Sequence, residues 1–551
     1  MSGRKATTNI IPGKVALSVG KGEIKLPTNW VLIPLNDVAT LATGHTPSRK
    51  KSEYWGGDIP WMSVGDARKR NGKEIFETKE YTNKLGIDNS AAVLLPKHTV
   101  CLSRTASIGY SILLGKPMAT SQGFVNWKCS RLLVPKYLQL LFIAENKFLY
   151  EISEGTAHTT IYFPEVKAFH IALPSLPEQT RIVAKLDQLI EQLDQIKESL
   201  EKIPQLLKDF RQQVLTQAVT GKLTEEWRSG KEFESADELI EKIINKRKSN
   251  YESDCKIAKQ NGQRKPTKSF LLELPDIEKI NIVLPSNWFQ TNVHFLAFVT
   301  KLAGFEYSEH FDMSEQGEIP VVRAQNVQMG KFEDKNRLFI SKKVSDYLVR
   351  SQLHGREILM VFIGAGTGNV CMAPTDERWH LAPNVAKIDI DGINTNYLYL
   401  YLQSPLGITN VLSRVKATAQ PSLSMATIRE IIALVPPIIE QEEIVTRVET
   451  LFSKANSIEQ QYQTLKQKID TLPQAILHKA FKGELVPQLD SDGDARELLE
   501  EIKALKKQTA KPKTKKGNVR VGAVEPLKKS KAYKVNDVEL GRVAEESKKY
   551  K

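Results

Sequence analysis

The chain is poor in the residues that staple or ligate. It has four cysteines in 551 residues, Cys101, Cys129, Cys255 and Cys371, with no CxxC pair and no cluster with the nine histidines. Neither a disulfide framework nor a structural zinc is therefore expected, and the thiols read as reduced. No apolar run reaches membrane-spanning length and no signal-peptide hydrophobic region is read at the N-terminus, so a cytoplasmic chain without membrane contact is expected. Catalytic motifs are missing as well. There is no Asn-Pro-Pro-aromatic methyltransferase motif, no Walker lysine loop, no His-Glu-x-x-His and no acidic nuclease cluster. These absences turn the reading from chemistry toward recognition.

What is present starts with charge. The formal net charge of +14 points to a polyanionic partner. Much of the surplus lies between Lys503 and Lys534, where Lys511, Lys513, Lys515 and Lys516 stand among Pro, Thr and Gly. Such a tail is expected to be disordered and to add unspecific attraction only. The 41% hydrophobic content is ordinary for globular domains, and the length suffices for two or three of them.

The organising feature is an internal repeat. Pro174, Glu178, Gln179, Ile182, Leu186, Ala218, Gly221 and Leu223 recur as Pro436, Glu440, Gln441, Ile444, Val448, Ala480, Gly483 and Leu485, at a constant shift of 262. More loosely, Leu26 to Trp30 recurs as Leu284 to Trp288, Gly44 as Gly304, Asp58-Ile59-Pro60 as Glu318-Ile319-Pro320, and Tyr137-Leu138 as Tyr397-Leu398. A repeat of this length dictates a tandem architecture: two heads of differing sequence, each followed by a helix of similar sequence.

The helices carry a heptad pattern. Ile182, Leu186, Leu189, Leu193, Ile196, Leu200, Ile203, Leu207, Phe210 and Val214 alternate steps of four and three. Ile444, Val448, Leu451, Ala455, Ile458, Tyr462, Leu465, Ile469, Leu472 and Ile476 do the same. A 3.5-residue apolar period predicts a coiled-coil seam, with burial in one bundle as the alternative. Pro204 and Pro473 are expected to kink the helices without breaking them. The pattern leaves the pairing direction open. A charged helix, Ala236 to Lys248, is echoed by Ala495 to Lys507.

The heads read as mixed α/β. Ala92–Leu95, Val100–Leu102, Ile358–Phe362 and Val385–Ile388 are expected strands, and Tyr137 to Ile152 and Thr395 to Arg414 expected helices. The run Phe362-Ile363-Gly364-Ala365-Gly366-Thr367-Gly368 has the look of the glycine loop with which Rossmann-like methyltransferases hold S-adenosylmethionine. However, Asn369-Val370-Cys371-Met372-Ala373-Pro374 follows it where a helix is required, so a tight turn between strands is predicted. The boundaries read as an extension over 1–25, a head over 26–175, a coil helix over 176–221 and a linker with the charged helix over 222–283. A second head follows over 284–437, a second coil helix over 438–483 and a terminal segment over 484–551.

Together, Gly44-His45-Thr46-Pro47-Ser48, Tyr54 to Trp61, Pro174 to Gln179 and Ala218 to Leu223, with Lys301 to Phe305, Pro436 to Gln441 and Gly483 to Gln488 in the second unit, resemble the specificity subunit of type I restriction-modification enzymes. The resemblance covers roughly residues 26 to 505. It departs at the N-terminal extension, the long inter-repeat segment and the lysine-rich tail. It implies an α+β fold in which two mixed α/β target recognition domains are joined by two long helices forming an antiparallel coiled coil, a pseudo-two-fold tandem repeat. It further implies that each head reads half of a split double-stranded DNA sequence and that the coil fixes the spacer. Two methyltransferase subunits and ATP-driven restriction subunits would dock on it. S-adenosylmethionine, ATP and Mg2+ would be used by those partners, and this chain would bind no cofactor and carry no active site. The alternatives are a coiled-coil tether with two protein-binding heads and a self-contained DNA methyltransferase.

Candidate DNA contacts follow from residue type and loop position. Ser63 to Asp66 aligns with Arg323 to Asn326 in the repeat, and Ser63, Arg323, Gln325 and Asn326 suit hydrogen bonding to base edges. Arg49, Lys50 and Lys51 follow the Thr46-Pro47 turn, and Arg68, Lys69 and Arg70 follow the Trp61 strand, as loop-tip phosphate contacts. Thr46, Arg104, His158 and Thr159 in the first head, with Thr418, Gln420 and Ser422 in the second, are added from loop position.

Overall fold

The computed structural model describes residues 15–17, 25–153, 159–262, 264–265, 271, 273–302, 304, 312–416 and 420–509. His158 and Thr418, the stretch from Phe305, and the lysine-rich tail beyond 509 lie outside them. The chain forms two compact units, one from Met1–Gln179 with Gln488–Lys551 and one from Thr180–Pro487.

In the first unit, a five-stranded sheet runs in the order Ala39–Thr43, Phe124–Cys129, Val100–Ser103, Ser111–Leu114 and Glu74–Ile75. Its neighbours are antiparallel except the last pair. A second sheet sets Trp55–Met62 between Glu80–Thr82 and, in parallel, Ala119–Thr120. The second unit repeats the plan. Ala297–Lys301, Val385–Ile390, Ile358–Val361 and Val370–Met372 form an antiparallel sheet. Ile319–Val322 pairs in parallel with Trp379–Leu381, as Trp55–Met62 does with Ala119–Thr120. Tyr137 donates its hydroxyl to the Ala172 carbonyl at 2.8 Å, and Tyr397 donates to Leu434 at 2.7 Å.

Three local expectations are corrected. Ala92–Leu95 is not a strand: Leu95 alone bridges Met118, while Val93 and Leu94 stay exposed and pair with no strand among the described residues. The Tyr137 to Ile152 helix is two, Pro135–Ala144 and Asn146–Glu151. Thr395 to Arg414 likewise divides at Ser404, whose hydroxyl caps Pro405–Leu412 by accepting from the Gly407 amide. The charged helix runs on from Ala236 to Gln260, opened by a Ser235–Glu238 capping box. The glycine-rich run is a turn between the antiparallel strands Ile358–Val361 and Val370–Met372, as its following residues require.

The long helices are Leu176–Glu201, Ile203–Val219 and the 44-residue Ile438–Phe481. Pro473 sits inside the last without breaking it. Pro204 does interrupt its helix, at Lys202, because its missing N–H falls in the first turn of the resumed helix. Pairing is antiparallel: Leu200 packs with Tyr462 and Ile469, Arg211 bonds Glu459 at 2.7 Å, and Arg447 donates to the Leu223 carbonyl at 3.0 Å, so numbers rise along one helix as they fall along the other. Only half of the expected seam is buried. Leu186, Leu193, Leu200, Leu207 and Val214, with Val448, Ala455, Tyr462 and Ile469, are interior at seven-residue intervals. Of the alternate members, Ile182 and Ile444 at the helix starts are buried and Leu189, Ile203, Leu451 and Ile476 half-buried, while Ile196 is 44% exposed, Ile458 48%, Leu465 44% and Leu472 41%.

The repeated Glu-Gln pair explains why the start of both helices is alike. Glu178, Gln179, Glu440 and Gln441 are fully buried. The Gln179 side chain accepts from the Val134 amide at 2.9 Å and donates to the Leu132 and Pro174 carbonyls. Gln441 accepts from the Asn394 amide at 2.8 Å and donates to Pro436. Each glutamine thus satisfies loop backbone that would otherwise be buried without partners. Glu178 accepts from Asn29 and, at 2.7 Å, from Gln488. Glu440 accepts from Thr224 at 2.7 Å, Trp288 at 3.0 Å and Arg228.

Candidate nucleic-acid interface

The strands Ala39–Thr43, Trp55–Met62, Val100–Ser103 and Ala119–Thr120 of the first head feed loops that meet at their carboxyl ends. The His45 amide donates to the Thr120 carbonyl at 2.8 Å, Ser121 to Met62 at 3.0 Å, Arg104 to Gly123 at 2.8 Å and Ile161 to Arg104 at 2.9 Å. This rim gathers Thr46, Ser63, Arg104 and Thr159 from distant parts of the chain. Thr46 donates to the Gln122 side chain. Ser63 is the N-cap of the Val64–Lys69 helix, in a capping box with Asp66, which leaves its hydroxyl largely engaged.

The basic clusters are not bare loop tips. Arg68 and Lys69 end the Val64–Lys69 helix and Arg70 caps it, where cations suit the helix dipole. All three are exposed, and Arg68 donates to the Ser107 hydroxyl at 3.0 Å. Arg49 binds Glu80 at 2.8 Å and lies over the rings of Trp55, at 4.0 Å, and Trp61. This hydrogen bond holds the Glu80 carboxyl below its ordinary range. Lys51 donates to the Tyr54 hydroxyl at 2.9 Å. Lys50 is exposed. The Arg104 guanidinium sits over the Phe163 ring at 4.7 Å and donates to the Ile161 carbonyl at 3.3 Å, and burial lowers its pKa. The Thr159 carbonyl accepts from the Ala106 amide.

The second head builds the matching rim. Arg323 follows Ile319–Val322 and precedes the Ala324–Asn326 turn as Ser63 precedes its helix, and the Asn326 side-chain oxygen accepts from the Arg323 backbone amide at 3.0 Å where the Asp66 carboxylate accepts from the Ser63 amide. The repeat alignment of these segments is therefore a true structural equivalence. Asn326 is corrected as a base reader: it is 3% exposed, and its amide group donates to the Glu333 and Lys335 carbonyls, so all its capacity goes to its own turn. Arg323 donates to the Asn336 carbonyl at 2.5 Å, while Gln325 is exposed. Gln420 is exposed, and the Ser422 carbonyl accepts from Lys416 while its backbone bridges Ile363.

Comparison with known proteins decides the family. The model of the type I restriction modification DNA specificity domain matches residues 27–205 and 298–467. The chain belongs to this specificity-subunit family. It is 28% identical to the EcoBI specificity subunit of Escherichia coli, covering 88% of this chain and 94% of that one. It is 25% identical to the MjaIX specificity subunit of Methanocaldococcus jannaschii, covering 84% and 94%. In fold it resembles the HsdS subunit from Thermoanaerobacter tengcongensis, with a TM-score of 0.54 at 15% identity over 84% of this chain and 99% of that one. A type I R-M system chain gives 0.52 at 17% identity, covering 84% and 100%.

For a specificity subunit, the rim holds further polar groups that residue type alone did not mark. Ser107 seats Arg68, Gln122 receives Thr46, and the Thr105 and Thr160 hydroxyls meet at 2.9 Å. In the second head the Lys301 ammonium lies 5.2 Å from the Phe362 ring, and the Asn384 carbonyl accepts from the Phe362 amide. Their one sequence signal is position: all but Thr160 stand within a few residues of the end or start of a core strand. Among the described residues, no helix is long and apolar enough to cross a membrane.

Proposed function

We propose that this chain is the non-catalytic DNA-recognition subunit of a type I restriction-modification complex, each rim reading one half of a bipartite double-stranded target. The observation that carries this reading is the pair of equivalent rims, built on the same strand ends in both heads but furnished with different side chains. Sequence is distinguished at base edges by side chains, whereas backbone contacts only set position. A shared frame with exchanged contents is the arrangement that two half-sites require.

The coil supports the rest of the proposal. Ile196 and Phe210 on one helix and Ile458, Leu465 and Leu472 on the other leave apolar side chains open to solvent. Each such side chain gains about 1.5–3 kcal/mol when fully buried, and a set of them suits helices of a partner subunit. Two methyltransferase subunits would take this place, with restriction subunits added for cleavage; S-adenosylmethionine, ATP and Mg2+ would serve those partners. Methylome sequencing of cells with and without the chain tests the assignment. A split adenine-methylated motif that disappears with the chain is the expected result, and methylation unchanged by its loss would contradict it.

A further inference from the structure

The turn between Val100–Ser103 and Ser111–Leu114 and the turn between Ile358–Val361 and Val370–Met372, one residue longer, are anchored alike. Ala106 holds φ at +64° and Gly364 at +112°. The Ala106 amide donates to the Thr159 carbonyl at 3.3 Å, and the Gly364 amide to Pro421 at 3.1 Å. Gly109 and Gly368, at φ of +89° and +94°, close the turns by donating to Ser103 and Val361 at 3.0 and 2.8 Å. An alanine in the left-handed region is strained where glycine is not. Such strain persists where the surroundings over-determine it, and it concentrates at functional sites.

Ser107 is fixed on the first turn. Its carbonyl accepts from the Ser103 hydroxyl at 2.5 Å, and that same hydroxyl accepts from the Tyr110 amide at 2.9 Å. Its own hydroxyl receives the exposed Arg68 at 3.0 Å. Arginine has five donors in a rigid fork, so one anchoring bond leaves four and removes part of the ordering cost of a second contact. The second turn carries Ala365 and Gly366 in this region, which have no polar side chain to seat an arginine. Equivalently anchored turns thus present different chemistry in the two heads.

We propose that Arg68, seated by Ser107, is a specificity-determining side chain of the first half-site and reads a guanine through O6 and N7 in the major groove. The inference rests on the rim being the DNA surface.

The test uses the full chain assembled with its methyltransferase partner and a duplex set in which every base pair of both half-sites is varied singly. Arg68→Ala should reduce the preference for guanine at one position of one half-site by roughly five-fold or more, leaving the other half-site intact. Arg68→Lys should not restore it, because an ammonium lacks the fork. Ser107→Ala should weaken the preference at the same position. Equal weakening on all sequences would make Arg68 a phosphate contact and overturn the proposal, as would an unchanged preference in Arg68→Ala. In both cases a bipartite preference of the unaltered chain would leave the functional reading standing. An unaltered chain that prefers no sequence would overturn both.

Discussion

The Glu440 carboxylate accepts the Trp288 indole N–H at 3.0 Å, tying the first turn of the second long helix to the strand entry of its own head. Thr224 and Arg228, which follow the first long helix, bind the same carboxylate. One buried charge therefore joins three segments that the sequence keeps far apart. Removing one member of a buried pair strands the other, which costs about 3–5 kcal/mol. Glu440→Ala should show that loss in chemical denaturation, and Trp288→Phe, which loses the N–H together with the five-membered part of the indole, at least about 1–3 kcal/mol. Equal, negligible effects would remove the carboxylate from its structural role.

Glu145 gives a pH test. It is 5% exposed, and burial pushes its carboxyl up to about 7. The folded chain thus holds a proton that the unfolded chain releases at lower pH. The contribution is full below the ordinary carboxylate range and is lost as pH rises through about 7. Glu145→Gln should therefore be more stable than the unaltered chain at pH 8, by roughly 1–3 kcal/mol, with the difference shrinking toward pH 4. Denaturation midpoints at the two pH values check it.

Ala106→Gly should raise stability by up to about 1 kcal/mol, since the backbone at φ +64° penalises a Cβ. A fall in the thermal midpoint would contradict the assigned strain.

Gln325 and Asn326 are adjacent but have different work. Asn326→Ala should cost about 2–3 kcal/mol of stability, because the carbonyls of Glu333 and Lys335 lose their donors. Gln325→Ala should leave stability within about 0.5 kcal/mol and affect DNA preference alone. Denaturation and base-variant binding on both variants separate the two roles.

Inserting one heptad into each long helix should preserve the buried seven-residue series while lengthening the coil by ~10 Å, about three base pairs of B-DNA. The methylated motif should keep its half-sites and widen its spacer. An unchanged spacer would mean that the coil is not the ruler.

The tandem plan, the heptad helices and the turn at Gly364 to Gly368 were legible because each is written in local periodicity or in residues with special backbone freedom. The exposed part of the seam was not. Heptad spacing reports which residues share a stripe, and Ile196 and Leu193 share one whether or not a partner covers both. The roles of Asn326 and Arg49 were hidden for a related reason. Residue type shows what a side chain can bond, while Glu333, Lys335 and Glu80, which take up those bonds, are brought in by the fold. Ala92–Leu95 misled because an apolar run needs a neighbouring strand along its length to become one, and among the described residues only Leu95 is paired, with Met118.

The most direct test of the account is exchange of residues 26–173 for the equivalent head of a related specificity subunit, read out by mapping the methylated motif in cells that supply the partner subunits. One half of the motif should change to that of the donor while the other half stays the same. A motif unchanged in both halves, or altered in both at once, would contradict the assignment of one half-site to each head.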